Sequence, residues 1–403
     1  MSATACAGSV GSQGGSAANA EGYEFGAGQA DIESALADLD PVTLTYQSAA
    51  SSPAGIQAKD KVWAESIEER SGGKITVDVV YGQAIAGFDE IHEALADGRL
   101  DMAYTLPAYD PSRFPLFDDL SVGLSVLPSS PMVGELVANA VGAELSWGSE
   151  EFIEEFEGQG LYPLFPLLAS ANLYPQCTDP GADLADWEGR QIRAGASAHQ
   201  AMADSLGAQA VSLSFTEVYE ALQRRTVDCA LNSMNSAADY GFIDVANNIS
   251  YATQTTIPRG PGAMLAGSKV ANLPLPYRQV LFDSLVEAFV GGVEVAIDGN
   301  YEGVQEVRET GGSISAFGPD AEERLVQANE RLLADVEAEG ALSESLGDDV
   351  STAGEKWFAK AAELGYADQG SLADMDQWYD PETDFTAFAE AVYEDILLEH
   401  RPA

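Results

Sequence analysis

The fold is decided by Trp187-Glu188-Gly189-Arg190-Gln191-Ile192-Arg193 and the segments that follow it. After a run of small residues come Leu206-Gly207-Ala208-Gln209-Ala210-Val211, Phe215-Thr216-Glu217-Val218-Tyr219-Glu220-Ala221-Leu222-Gln223 and Thr226-Val227-Asp228-Cys229-Ala230-Leu231-Asn232. Short apolar runs with β-branched residues alternate with helical repeats, and Gly189 and Gly207 punctuate the turns. The alternation reads strand, helix, strand, helix, strand, the pattern of a parallel α/β sheet. Ligands of open parallel sheets sit at the carboxyl ends of the strands. Arg193 ends the first strand, Phe215 follows the second and Asn232 closes the third. One cation, one aromatic face and one amide are therefore expected at a single crevice. An Arg there suits a carboxylate, which it can grip with two parallel hydrogen bonds. A lone Arg at a strand end would more simply be salt-bridged to its own chain. The register of the other two groups is what favours a ligand.

Gly-Arg-Gln-Ile-Arg ending at Arg193, the string from Phe215 to Gln223, and Val-Asp-X-X-X-Asn ending at Asn232 resemble the DctP-like solute-binding proteins of TRAP (tripartite ATP-independent periplasmic) transporters. The resemblance covers roughly residues 42 to 340. It implies an α/β, two-lobe, periplasmic-binding-protein-like type II fold, with a hinge and a long helix spanning both lobes. It also implies that Arg193 binds a substrate carboxylate, that Phe215 stacks on the ligand, and that Asn232 and Tyr219 belong to the site. Two departures stand out. Several members carry a second Arg on the strand before Arg193, but here that strand reads Ser170-Ala171-Asn172-Leu173-Tyr174, and Asn172 is the nearest polar candidate. Cys229-Ala230-Leu231 stands where the family often has Gly and polar residues.

The chain has 403 residues, too long for one ordinary domain and suited to two lobes. Its 46% hydrophobic content suffices for sizeable cores, and no run of eighteen apolar residues occurs. With 65 acidic and 19 basic residues the net charge is −46, which repels phosphate backbones and argues against a nucleic-acid partner. A salt-adapted exported protein would show this balance; simple solubility is the plainer explanation. Of three cysteines, Cys6 follows small residues and precedes a Gly/Ser/Ala-rich run, which resembles the end of a lipoprotein signal with its flexible tether. A chance Cys in a tail is the alternative. Cys177 and Cys229 could pair if their strands are neighbours, as an exported context permits; two separate buried thiols remain open.

Along the chain, 1–41 reads as tether, 42–165 plus about 258–290 as lobe one, 166–257 plus about 291–340 as lobe two, and 341–403 as a helical, acidic extension. Gly160 to Leu168 reads as the strand crossing into lobe two. Leu275 to Thr310 reads as the long helix, interrupted or kinked at Gly291-Gly292. Lobe one should bring Gln47, Phe88, Asp89 and Tyr104 or Thr105 to the other side of the crevice. Ser197 should open a helix whose N-terminus can hold a carboxylate oxygen, or act as an ordinary cap.

Enzyme signatures are weak. His92, His199 and His400 are scattered with no metal-ligand spacing, and no nucleophile elbow or phosphate loop appears. Ser71-Gly72-Gly73-Lys74 matches Ser-X-X-Lys but needs only turn chemistry. Asp374, Asp376, Asp380 and Asp384 lack the Gly and closing Glu of a calcium loop. The reading is an extracytoplasmic binding protein, expected to be monomeric and without cofactor or metal. It would capture a small organic acid and deliver it to the membrane permease subunits of a TRAP transporter. An extracellular sensing domain for a signalling partner is the alternative.

Overall fold

The computed structural model describes residues 20–57 and 61–403. The proposed lipidation at Cys6 lies outside the described residues. Eleven strands form two sheets among them. In the first, β1 (Val42–Gln47) lies between β2 (Ile75–Val80) and β3 (Met102–Thr105), parallel to both. The strands β4 (Tyr162–Leu168) and β10 (Gly262–Ala266) complete the order β2-β1-β3-β10-β4, with β10 antiparallel to its neighbours.

The second sheet contains β5 (Tyr174–Cys177), β6 (Gln191–Arg193), β7 (Gln209–Val211), β8 (Cys229–Asn232), β9 (Asn248–Tyr251) and β11 (Ser313–Ala316), in the order β11-β9-β5-β8-β6-β7. The strand–helix–strand–helix–strand reading of 187–232 is found here: β6 pairs in parallel with both β7 and β8. The sheet is mixed, because β5 joins antiparallel to β8. Cys177 lies directly opposite Cys229 in that pair, and the two form a disulfide with a Cα separation of 4.1 Å.

Two expectations need correction. The strand from Tyr162 does not cross between the sheets; Pro163 to Leu168 are all buried and the strand pairs with β10 throughout. Gly142 of the helix Val133–Trp147 leaves room for Leu167, since a Cβ there would sit 2.5 Å from the Leu167 Cδ2. The chain leaves the first sheet only after Leu168. The long helix is not broken at Gly291-Gly292. It runs unbroken over Leu285–Glu309, and the interruption falls at Ser284, after the helix Leu275–Asp283. Gly291 belongs to the buried face of this helix while Gly292 faces the open space of the cavity, and packing along the buried face outweighs the low helix propensity of the pair.

The chain passes between the sheets three times: at 169–173, at 252–261, and through the long helix into β11. One fully buried carboxylate meets all three. Glu135 accepts from the Asn172 backbone N–H on the first passage (3.1 Å), from Arg259 on the second (2.5 Å) and from the Asn300 side-chain amide on the third (3.1 Å). Ser170, at the first passage, holds a left-handed φ of 56°, rare for a residue with a Cβ. Its carbonyl receives a second Arg259 hydrogen bond (2.9 Å).

Residues 346–403 pack on the outer side of the long helix and on Val133–Trp147. Tyr379 donates to Asp298 (2.6 Å), Trp357 to Glu144 (2.6 Å), and Arg401 grips Asp283 with two hydrogen bonds (2.7 and 2.9 Å). No helix among the described residues is long and apolar enough to cross a membrane.

Removing one partner of a buried ion pair strands the other. Arg259→Met should therefore lower the unfolding free energy by roughly 3–5 kcal/mol, and adding Glu135→Gln should recover much of it. Chemical denaturation of wild type, single and double variants measures this; equal losses in single and double variants would contradict it.

Candidate functional site

A cavity of about 130 Å³ lies where the two sheets face each other across the long helix. The first sheet and its loops contribute Tyr46, Phe88, Tyr104 and Tyr109. Phe215, Asn232, Asn235 and Tyr240 come from the second, and Gly292 and Val295 from the long helix. Local sequence explains the placement. Gly262 faces the Tyr104 ring across the β3–β10 pair; any Cβ there would lie 2.2 Å from it. The ring thus lies flat over β10, with its hydroxyl 2.6 Å from the Ser170 hydroxyl. Gly299 and Gly303 let the short helix Met234–Asp239 close onto the long helix: a Cβ at 299 would come within 2.3 Å of the Asn235 Cβ. That approach sets Asn235 against the cavity.

Arg193 ends β6 and is 3% exposed. Its Nε donates to the Leu213 carbonyl (3.3 Å), and its guanidinium lies over the rings of Tyr109 (5.6 Å) and Phe215 (5.7 Å). Gly195 makes room for this stack, since a Cβ there would be 3.0 Å from Tyr109. Among the described residues Arg193 forms no ion pair. The guanidinium does not itself line the cavity; the two rings that cover it do. Two aromatic faces offset only part of the cost of a desolvated cation, so the position favours an incoming anion.

The other residues expected at the site divide into two groups. Asn232, Phe215, Phe88 and Tyr104 line the cavity. Asn232 is buried and its amide nitrogen has no hydrogen-bond partner. Phe88 and Phe215, from opposite sheets, meet edge to face at 6.4 Å. Gln47, Asn172, Ser197, Tyr219, Asp89 and Thr105 do not line it. The Gln47 amide is spent on the backbone of Ile85 and Ala86, which pins the loop that carries Phe88. Asn172 donates to the Ser130 carbonyl (3.2 Å). The exposed Ser197 hydroxyl bonds Asp118, and Thr105 donates to the Ala263 carbonyl (3.1 Å). Asp89 is exposed, and Tyr219 lies half-buried beside Gly241.

Sequence reasoning missed Tyr109, Tyr240 and Asn235. Tyr109 follows β3 in a short turn, so the carboxyl-end rule applied to β3 would have reached it. Asn235 lies three residues past Asn232, at the start of a helix after a strand, and the same rule covers it. Tyr240 carries no such signal; Phe215 brings it in by an edge-to-face contact at 4.9 Å. The sheets also meet beside the cavity, where Asp239 accepts from the backbone N–H of Ile56 (2.7 Å) and Gln57 donates to Ser236 (2.9 Å).

With the architecture and the cleft in place, the chain matches the model of the bacterial extracellular solute-binding protein family 7 (DctP) over residues 44–339. The chain belongs to this family. Its fold is similar to that of the sugar acid binding protein of Advenella mimigardefordensis, solved with galactonate (TM-score 0.67, 19% identity, covering 79% of this chain and 100% of that one). It is also similar to a Bordetella pertussis extracytoplasmic solute receptor binding pyroglutamic acid (TM-score 0.64, 18% identity, 78% and 99% covered). A third similar structure is a marine metagenome TRAP solute-binding protein specific for aromatic acid ligands (TM-score 0.67, 19% identity, 79% and 99% covered).

His199 ties the Arg193 turn to the second passage between the sheets. Its Nδ1 accepts from the Ala196 N–H (3.2 Å) and its Nε2 faces the Pro258 carbonyl (3.0 Å), which fits a neutral ring protonated at Nε2. Burial, with the nearby Arg193 charge as a lesser cause, lowers its pKa from 6.5 to about 4. A base harder to protonate when folded contributes stability above pH 6.5 that is lost as pH falls toward 4. At about 1.4 kcal/mol per tenfold change in proton affinity, this amounts to roughly 3 kcal/mol. His199→Gln should flatten the fall in melting temperature across that window relative to wild type; an unchanged slope would contradict it.

Proposed function

We propose that the protein captures a small organic acid outside the cytoplasm and hands it to the membrane permease subunits of a TRAP-type secondary transporter. The observation that carries this reading is Arg193: a buried guanidinium at the edge of an inter-sheet cavity, covered by two rings and without a carboxylate of its own among the described residues. The ligand's carboxylate takes the place of the ring faces at the guanidinium. Phe215, Phe88 and Tyr104 cover its apolar part, and Asn232 donates to it. Gln47 and Ser197 act at one remove, by holding the Phe88 loop and the Asp118 contact. The galactonate and pyroglutamic acid bound by the two similar proteins are carboxylic acids, in keeping with this chemistry.

The lobes would be 42–168 with β10, and β5 to β9 with β11, working as one monomer. Closure is a shift of population toward the state with more ligand contacts. Cys6 with the Gly/Ser/Ala run after it would tie the receptor to the outer face of the membrane, a role supported by the sequence alone. The Cys177–Cys229 disulfide suits the oxidising side of that membrane.

Arg193→Ala should cost about 2–5 kcal/mol of carboxylate binding, roughly 30- to 5,000-fold in Kd. Calorimetry with a bound acid identified by thermal-shift screening in high salt measures it. Near-native affinity in the variant would sink the assignment.

A further inference from the structure

The cavity also restricts what the acid can be, given the carboxylate reading above. From its size, walls and unpaired polar atoms we infer that the ligand is a flat, single-ring monocarboxylate bearing one additional hydrogen-bond donor, such as a ring hydroxyl or ring N–H. Dicarboxylates and open-chain polyhydroxy acids are disfavoured.

Size comes first. A cavity of about 130 Å³ is close to the roughly 150 Å³ engineered cavity that takes up benzene. One six-membered ring fills it.

The walls suit a ring. Six aromatic side chains line the space: Tyr46, Phe88, Tyr104, Tyr109, Phe215 and Tyr240. Four come with the first sheet and two with the second, so closure brings aromatic groups to the ligand from opposite sides. Flat guests gain most from such walls, because stacked and edge-on contacts both become available.

Charge is sparse. No Asp, Glu, Lys, Arg or His lines the cavity among the described residues, and Arg193 is the cation that adjoins it through Tyr109 and Phe215. A second carboxylate, or an ammonium, would be buried without a counter-ion.

Several of the polar groups are already engaged. Tyr104 bonds Ser170 (2.6 Å), Ser233 and Gln57 both bond Ser236 (3.0 and 2.9 Å), and the Asn139 amide donates to the Glu135 carbonyl (2.9 Å). Two lining atoms remain buried and unpartnered: the Asn232 amide nitrogen and the Asn235 amide oxygen. Asn232 and Asn235 are 3% and 8% exposed. One is a donor, fit for a carboxylate oxygen beside Arg193. The other is an acceptor, fit for one hydroxyl or N–H on the ring. A sugar acid would bring several hydroxyls to walls that are mostly aromatic and aliphatic, and those left without a polar neighbour would be desolvated without partners.

Calorimetry on the whole chain with benzoate, 3-hydroxybenzoate, succinate and gluconate tests this. The expected order places 3-hydroxybenzoate about tenfold tighter than benzoate, the worth of one hydrogen bond, with succinate and gluconate weakest. Asn235→Ala, with its melting temperature checked against wild type, should erase the difference between the two benzoates. If that variant fails to fold, the wild-type order alone decides. Tighter binding of succinate or gluconate than of either benzoate, still lost in Arg193→Ala, overturns the ring assignment and leaves a carboxylate receptor standing. No binding of any of the four overturns the ring assignment as well. Benzoate binding undiminished in Arg193→Ala overturns the carboxylate receptor itself.

Discussion

The structure depends on one buried carboxylate. Glu135 stands where three passages of chain between the sheets converge, and each passage donates to it. A carboxylate so placed is stable only while all of its donors are present. The network therefore fixes how the first passage, the second passage and the long helix sit together, without fixing the sheets themselves. Ser170, with its left-handed backbone, sits at that junction, lines the cavity and bonds Tyr104. Junction and site are thus adjacent in the same few residues.

The cavity works on the opposite principle. At Glu135 charges are paired; at Arg193 a charge has one carbonyl and two aromatic faces but no carboxylate among the described residues. The surrounding chain carries a net charge of −46, so an anion approaches through a repelling field and is rewarded only at the guanidinium. That arrangement favours selectivity at the last step over fast capture, and high salt would screen the approach more than the buried contact. The extension at 346–403 bonds the long helix through Tyr379, the helix Val133–Trp147 through Trp357 and the helix Leu275–Asp283 through Arg401, away from the cavity.

Much of this was legible in the sequence, and the reason differs from part to part. The segment from Trp187 to Asn232 could be read because its strands are short and apolar, its helices are periodic, and glycines mark the turns. Arg193, Phe215 and Asn232 followed from strand ends. The expected interruption at Gly291-Gly292 did not form, because local propensity yields to the packing of the helix's buried face, to which Gly291 belongs. Gln47 and Asn172 lie near the cavity in sequence terms, yet their amides satisfy the backbone of loops whose course only the tertiary fold determines. Glu135 was invisible for the same reason: it sits in an apolar helix, and its partners are 37, 124 and 165 residues away. The disulfide was left open until β5 and β8 proved to be neighbours in register.

The most direct test is a crystal structure grown with a bound monocarboxylate such as 3-hydroxybenzoate. Its carboxylate should lie within hydrogen-bonding distance of the Arg193 guanidinium, with Tyr109 drawn aside and the Glu135 contacts unchanged. A ligand held elsewhere, with Arg193 still capped by its two rings, would contradict it.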